Sequence, residues 1–296
     1  MASPLRISSL DDIPFKHCVP YRKSLMSSGR YGMVYRVEKT RGAPHIAVKQ
    51  LRKVRQDLDA TKYIDCITHE VNNLGELHAH NSKARYHVIQ LYDVYQDEDH
   101  VYMELEHCKH GSLQEWLMQD DNLEYLKERP KAYNSILRQT LNALAECHRT
   151  HISHGDVKPC NVLMTDLGRL KLCDFGQSRS KMERTTGCYH KQGTPWYASP
   201  EIYIGESGTA ADIWSFGVMA FEIRYGGLHP FLADVQPESP QQLREAITRQ
   251  HIKWPIHDPP SLDFVEFITQ CLHRDASKRW TAQDALESSF LVKKTR

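Results

Sequence analysis

Between His154 and Gly176 the chain sets two carboxylates, an amide and a lysine around a hairpin, and this stretch limits its folding options more than any other. His154-Gly155-Asp156-Val157-Lys158-Pro159-Cys160-Asn161 runs into Val162-Leu163-Met164, a turn at Asp166-Leu167-Gly168, and Leu170-Lys171-Leu172-Cys173. The two apolar runs read as short strands joined by a tight turn. Such a hairpin carries Asn161 back to Asp174, which opens Asp174-Phe175-Gly176. Carboxylate and amide oxygens are the ligands a hard divalent cation prefers, and a lysine beside them suits a metal-bound phosphoryl group.

The rest of the chain supplies a scaffold of α+β type. Residues 1–20 are expected to form an irregular leader, and alternation at 25–37 and 45–51 predicts strands on either side of a glycine-containing turn. Ile64, Ile67, Val71, Leu74 and Leu77 follow a helical face over 63–77, and strand character returns at 88–94 and 101–105. Beyond Gly111 the spacing is mostly helical: Leu137, Leu141, Leu144 and Cys147 mark one helix, Ile213, Phe216, Met219 and Ile223 another, and Phe264, Phe267, Ile268 and Leu272 a third. A strand-rich part followed by a helix-rich part gives two lobes with a cleft between them. At 296 residues the chain is long enough to bury a substantial core in such a unit.

Charge and cysteine usage narrow the function classes. The 38 basic and 37 acidic residues give no global field for nucleic acid. No apolar run is long enough to cross a bilayer, so no membrane partner is expected. The eight cysteines never fall in C-x-x-C spacing, and the first residues lack the apolar core of a signal peptide. The expected compartment is the reducing cytosol, or the nucleus. The histidines and cysteines also lack the paired spacing of a structural zinc site.

These motifs together resemble the catalytic domain of the eukaryotic protein kinases, serine/threonine type, with His154-Gly155-Asp156 where the family has His-Arg-Asp. The resemblance covers residues 21–290 and implies a small β-rich lobe at 21–105, a hinge at 106–110, a helical lobe at 111–290 and a tail at 291–296. It implies that Ser27, Gly29, Gly32 and Val34 form the loop over the phosphates, with Ser27 in place of the first glycine. Lys49, in Ile46-Ala47-Val48-Lys49, would hold phosphates and pair with Glu70 on the following helix, Glu76 being the weaker alternative. Leu105 would be the gatekeeper, Glu106 to Cys108 would offer backbone to adenine, and Val34, Ala47 and Leu163 would wall the ring.

On the chemical side the resemblance makes Asp156 the residue that orients the acceptor hydroxyl and takes its proton. Lys158 would neutralise transferred charge, and Asn161 and Asp174 would hold Mg²⁺. Gly193-Thr194-Pro195-Trp196-Tyr197-Ala198-Ser199-Pro200-Glu201 is similar to the end of an activation segment. Thr194 and Lys158 point to the serine/threonine branch, and Arg279 to the partner of Glu201. The implied activity is transfer of the γ-phosphoryl of ATP to protein serine and threonine hydroxyls, with regulatory proteins as further partners. The rival reading is a nucleotide-binding scaffold without transfer, to which Ser27 and Gly155 lend weight. Cys173 is either a reachable thiol of the nucleotide site or a buried, inert one. Gly155 has no side chain to bind a phosphate, so modification of residues 177–192, at Thr185, Thr186 or Tyr189, is expected not to be needed for basal activity unless Arg179, Lys181 or Arg184 substitutes.

Overall fold

The computed structural model describes residues 7, 9–16, 20–29, 32–53, 60–80, 83–119, 121–180, 194–232 and 237–292. Strands β1 (Arg22–Gly29), β2 (Gly32–Glu38), β3 (Ile46–Arg52), β4 (Leu91–Gln96) and β5 (His100–Glu106) form one antiparallel sheet in the order β1-β2-β3-β5-β4. Side chains alternate across a strand, so Ala47, Lys49 and Leu51 of β3 share a face, and all three are buried. Helix α1 (Ala60–His80) meets that face, its Ile67, Val71, Leu74 and Leu77 spaced three and four apart and all inside the core.

Two expectations shift at the edges of this lobe. The strand expected from residue 88 begins at Leu91, because Val88 N–H is taken by the Ala84 carbonyl at the end of α2 (Ala84–His87) and Ile89 N–H by the Leu172 carbonyl. The leader is less irregular than its composition suggests. Ser9 caps a single 3₁₀ turn at Leu10–Asp12, and Ile7 and Ile13 are buried. Asn72 exchanges two hydrogen bonds with the Ile7 backbone at 2.9 Å, and the Gln96 side-chain amide donates to the Leu10 and Ile13 carbonyls.

The second lobe is helical: α3 (Leu113–Leu117), α4 (Asn122–Glu128), α5 (Pro130–Arg149), α6 (Thr209–Arg224), α7 (Pro240–Arg249), α8 (Leu262–Cys271), α9 (Ala282–Glu287) and α10 (Ser289–Val292). Helix α6 is apolar on nearly every face and correspondingly central. Its Trp214 stacks on Phe231 at 5.3 Å, and its Phe216 meets Phe267 of α8 edge-on at 6.1 Å. The predicted hairpin is present as β6 (Val162–Met164) and β7 (Leu170–Leu172), paired Val162 to Leu172. No helix of the described residues is long and apolar enough to cross a membrane.

Candidate active site

The hairpin of β6 and β7 does what its sequence requires: Cys173 N–H donates to the Asn161 carbonyl at 2.9 Å, which sets Asp174 beside Asn161 at the mouth of the interlobe cleft. That cleft holds about 600 Å³, and its walls include Val34, Ala47, Leu105 and Leu163, as an apolar ring would require. Ser27 lines it from β1, opposite Val34 and next to a register shift between Leu25 and Ser27. Gly29 and Gly32 face each other across the open end of that strand pair. Packing alone favours glycine at 32, since a Cβ there would lie 2.2 Å from the Gln50 carbonyl oxygen on β3. Glu106 and Cys108 also line the cleft.

Lys49 sits on β3 facing α1, and its ammonium is shared by two carboxylates. Nζ lies 2.8 and 2.7 Å from the two Glu70 oxygens and 2.8 Å from Asp174 Oδ1. Burial works against that ammonium, and the Asp174 and Glu70 charges overcome it, holding Lys49 above the ordinary lysine range. Burial likewise pulls Asp174 upward, but Lys49 reverses the effect and keeps it below the ordinary carboxylate range. Of the two α1 glutamates, the one that meets Lys49 is Glu70 rather than Glu76. Asp174 adopts left-handed backbone angles, φ 64° and ψ 72°, a local strain the surrounding bonds hold in place. Burial keeps the Cys173 thiol protonated, well above its usual range, although the side chain reaches the cleft.

Asp212 of α6 fixes the loop that carries Asp156. Its two oxygens accept from the backbone N–H groups of His154 and Gly155, each at 2.8 Å, and Oδ2 also lies 2.8 Å from His148 Nε2. The His154 ring packs edge-on against Phe175 at 4.8 Å and its Nε2 reaches the Cys173 carbonyl, tying the loop to the turn after β7. Four donors then converge on the Asp156 carboxylate. Thr194 N–H and Oγ1–H reach Oδ1 at 2.9 Å, and Lys158 Nζ and Asn161 Nδ2 reach Oδ2 at 2.7 and 3.1 Å. Lys158 also donates to Thr194 Oγ1 at 2.6 Å, so the start of the described 194–201 segment is locked to the loop.

Gly155 itself has φ +80°, and a Cβ would approach the Gln177 carbonyl oxygen to 2.6 Å. Backbone geometry alone therefore favours glycine here. Arg179 lies against His69, with Nη1 to Nδ1 2.5 Å, whereas Lys181, Arg184, Thr185, Thr186, Tyr189 and His190 fall outside the described residues. Further along, Arg279 grips Glu201 with two bonds of 2.6 and 2.9 Å, as the resemblance implied.

Two groups near the site, His148 and Lys171, escaped sequence reasoning. His148 carried no motif, only its place one turn before the loop. Lys171 is buried on β7 with its ammonium 2.8 Å from Glu106 at the hinge, a pairing that no spacing rule reveals. Glu222 of α6, also near the site, accepts from Trp196 Nε1 at 2.5 Å and Tyr197 Oη at 2.6 Å.

Comparison with known proteins agrees with this geometry. The chain is similar to Serine/threonine-protein kinase 4 homolog B of Dictyostelium discoideum, 31% identical over 271 residues, covering 91% of this chain and 22% of that protein. It is also similar to Serine/threonine-protein kinase KIC1 of Saccharomyces cerevisiae, 29% identical over 279 residues (91% and 23%). A third relative, Serine/threonine-protein kinase ppk11 of Schizosaccharomyces pombe, is 28% identical over 284 residues, covering 91% of this chain and 80% of its own length. The chain thus spans under a quarter of the first two relatives. The sequence pattern of the protein kinase domain matches residues 21–291, and with the two-lobed fold and the cleft just described, the chain belongs to the protein kinase domain family.

Proposed function

We propose that this chain transfers the γ-phosphoryl group of ATP to serine and threonine hydroxyls of protein substrates. The observation that carries this reading is the convergence on one cleft of Lys49, Glu70 and Asp174 from one side and Asp156, Lys158 and Asn161 from the other. A scaffold that only bound nucleotide would need no acceptor-orienting carboxylate held by four donors.

The donor set fits a hard cation. Asn161 uses Nδ2 on Asp156, which leaves Oδ1 as a ligand, and Asp174 uses Oδ1 on Lys49, which leaves Oδ2. Asn161 and Asp174 would hold Mg²⁺, which supplies neutralisation of phosphate charge when bound. Asp156 orients the acceptor hydroxyl and receives its proton, a contribution worth roughly 10²- to 10⁴-fold. Lys158 supplies positive charge next to that acceptor, and Lys49, held by Glu70, does the same for the nucleotide phosphates. Thr194, bonded to both Asp156 and Lys158, supports the serine/threonine assignment. The cysteine spacing supports the cytosol or nucleus as its compartment, and the even charge balance supports protein rather than nucleic-acid partners.

A peptide array containing serine, threonine and tyrosine acceptors, incubated with the purified chain and labelled ATP, tests the reading. Label on serine and threonine peptides that requires Mg²⁺ is the expected result. Saturable nucleotide binding with no label on any peptide would favour the scaffold.

A further inference from the structure

Helix α1 presents a buried amide to the lower lobe besides Glu70 and the His69 that meets Arg179. Asn73 lies three positions after Glu70, so it shares the inward face, and it is only 2% exposed. A polar group at that depth needs a partner. Its Nδ2 donates to Ser178 Oγ at 2.8 Å, and Ser178, itself fully buried, donates to the Phe175 carbonyl at 2.5 Å. Ser178 N–H donates to that same carbonyl at 3.0 Å, closing the 3₁₀ turn directly after Asp174. One residue further, Arg179 and Ser153 exchange both backbone hydrogen bonds at 2.9 Å, immediately before His154-Gly155-Asp156.

We propose that Asn73 is a positioning residue: through Ser178 it latches the helix bearing Glu70 to the turn bearing Asp174, and so keeps the transfer site assembled. This inference rests on the kinase reading above. The ionic tie between the lobes, Lys49 with Glu70 and Asp174, has one ammonium to divide among two carboxylates and, during turnover, the nucleotide phosphates. A neutral amide–hydroxyl relay has no such competition. Swinging α1 away would strand the buried Asn73 amide and take from the Ser178 oxygen the donor it accepts from, which couples helix position to the turn that Ser178 closes.

The test is amide hydrogen exchange on the nucleotide-free chain, paired with steady-state kinetics. In Asn73→Leu, close in volume and able to pack, exchange across α1 should rise about tenfold while α5 and α6 keep wild-type protection. kcat should fall about tenfold with the KM for peptide unchanged, because the loss is of assembled population rather than of substrate contacts. Ser178→Ala should do the same, and the double variant should be no worse than the more impaired single, since one relay is broken only once. Wild-type exchange across α1 in both single variants would overturn the proposal. A uniform rise that includes α5 and α6 would also overturn it, by reducing the pair to general packing. Raised α1 exchange in the variants of a chain whose wild type transfers no phosphate would leave the latch standing and refute the kinase reading.

Discussion

Removing the Arg279 guanidinium gives the sharpest energetic prediction. The side chain is fully buried, donates twice to Glu201, and makes two further bonds, to the Ala210 carbonyl at 2.7 Å and the His273 carbonyl at 2.9 Å. Arg279→Met keeps much of the volume but leaves a buried carboxylate without a counter-charge, a loss of about 3–5 kcal/mol. Glu201→Leu combined with Arg279→Met removes both charges, so the isolated-ion penalty disappears. What stays lost is the pair of bonds to backbone carbonyls, about 1 kcal/mol each. The double variant should therefore recover roughly half of the stability that the single loses. Urea unfolding followed by tryptophan fluorescence suits the assay, since Trp214 lies 5.2 Å from the guanidinium. A loss below about 1 kcal/mol in Arg279→Met, or a double variant less stable than the single, would refute the reasoning.

Further outcomes follow from single positions. Burial pushes the Glu222 carboxyl up to about 6 despite the bonds from Tyr197 and Trp196. The folded state then holds its proton more tightly than the unfolded chain, so this group costs stability as pH rises from about 4.5 to 6, by about 2 kcal/mol in all. Relative to wild type, Glu222→Gln should gain that amount between about pH 4.5 and pH 7 in paired denaturation curves, and a difference independent of pH would contradict the assignment. Gly155→Ala should cost about 1–3 kcal/mol through positive φ and the contact with the Gln177 carbonyl, with an unchanged melting curve as the contrary result. Phosphatase-treated protein should keep most of its rate toward peptide. A drop of about a hundredfold, reversed by phosphorylation at Thr185, Thr186 or Tyr189, would show that another basic group does the work expected of the missing arginine.

The layout of the site was legible because its signals are local. The strand–turn–strand around Asp166-Leu167-Gly168 and the helical spacing from Ile67 to Leu77 are periodic patterns, and they brought Asn161 to Asp174 and Glu70 to Lys49 as expected. Three-dimensional partnerships carry no such signature. Nothing in the spacing of Lys171 and Glu106, or of His148 and Asp212, announces that they meet, because each pair joins elements whose relative placement only the packed core decides. The packing of the leader was hidden for a related reason. Its two isoleucines are too few for a periodic pattern, and the burial of Ile7 and Ile13 depends on Asn72 and Gln96, which lie in α1 and β4. Asn73 was visible as a polar residue between Val71 and Leu74 on a buried face, a signal that a partner had to exist.

The central claim is that this cleft performs phosphoryl transfer rather than nucleotide binding alone, and Asp156→Asn separates the two. The amide keeps the size of the side chain and the Asn161–Asp174 ligand pair. Mg²⁺–ATP should therefore still raise the melting temperature of the variant as it does that of the wild type, while transfer to a serine peptide falls by about 10²- to 10⁴-fold. Retained transfer at near wild-type rate, with the same nucleotide-induced stabilisation, would contradict the account.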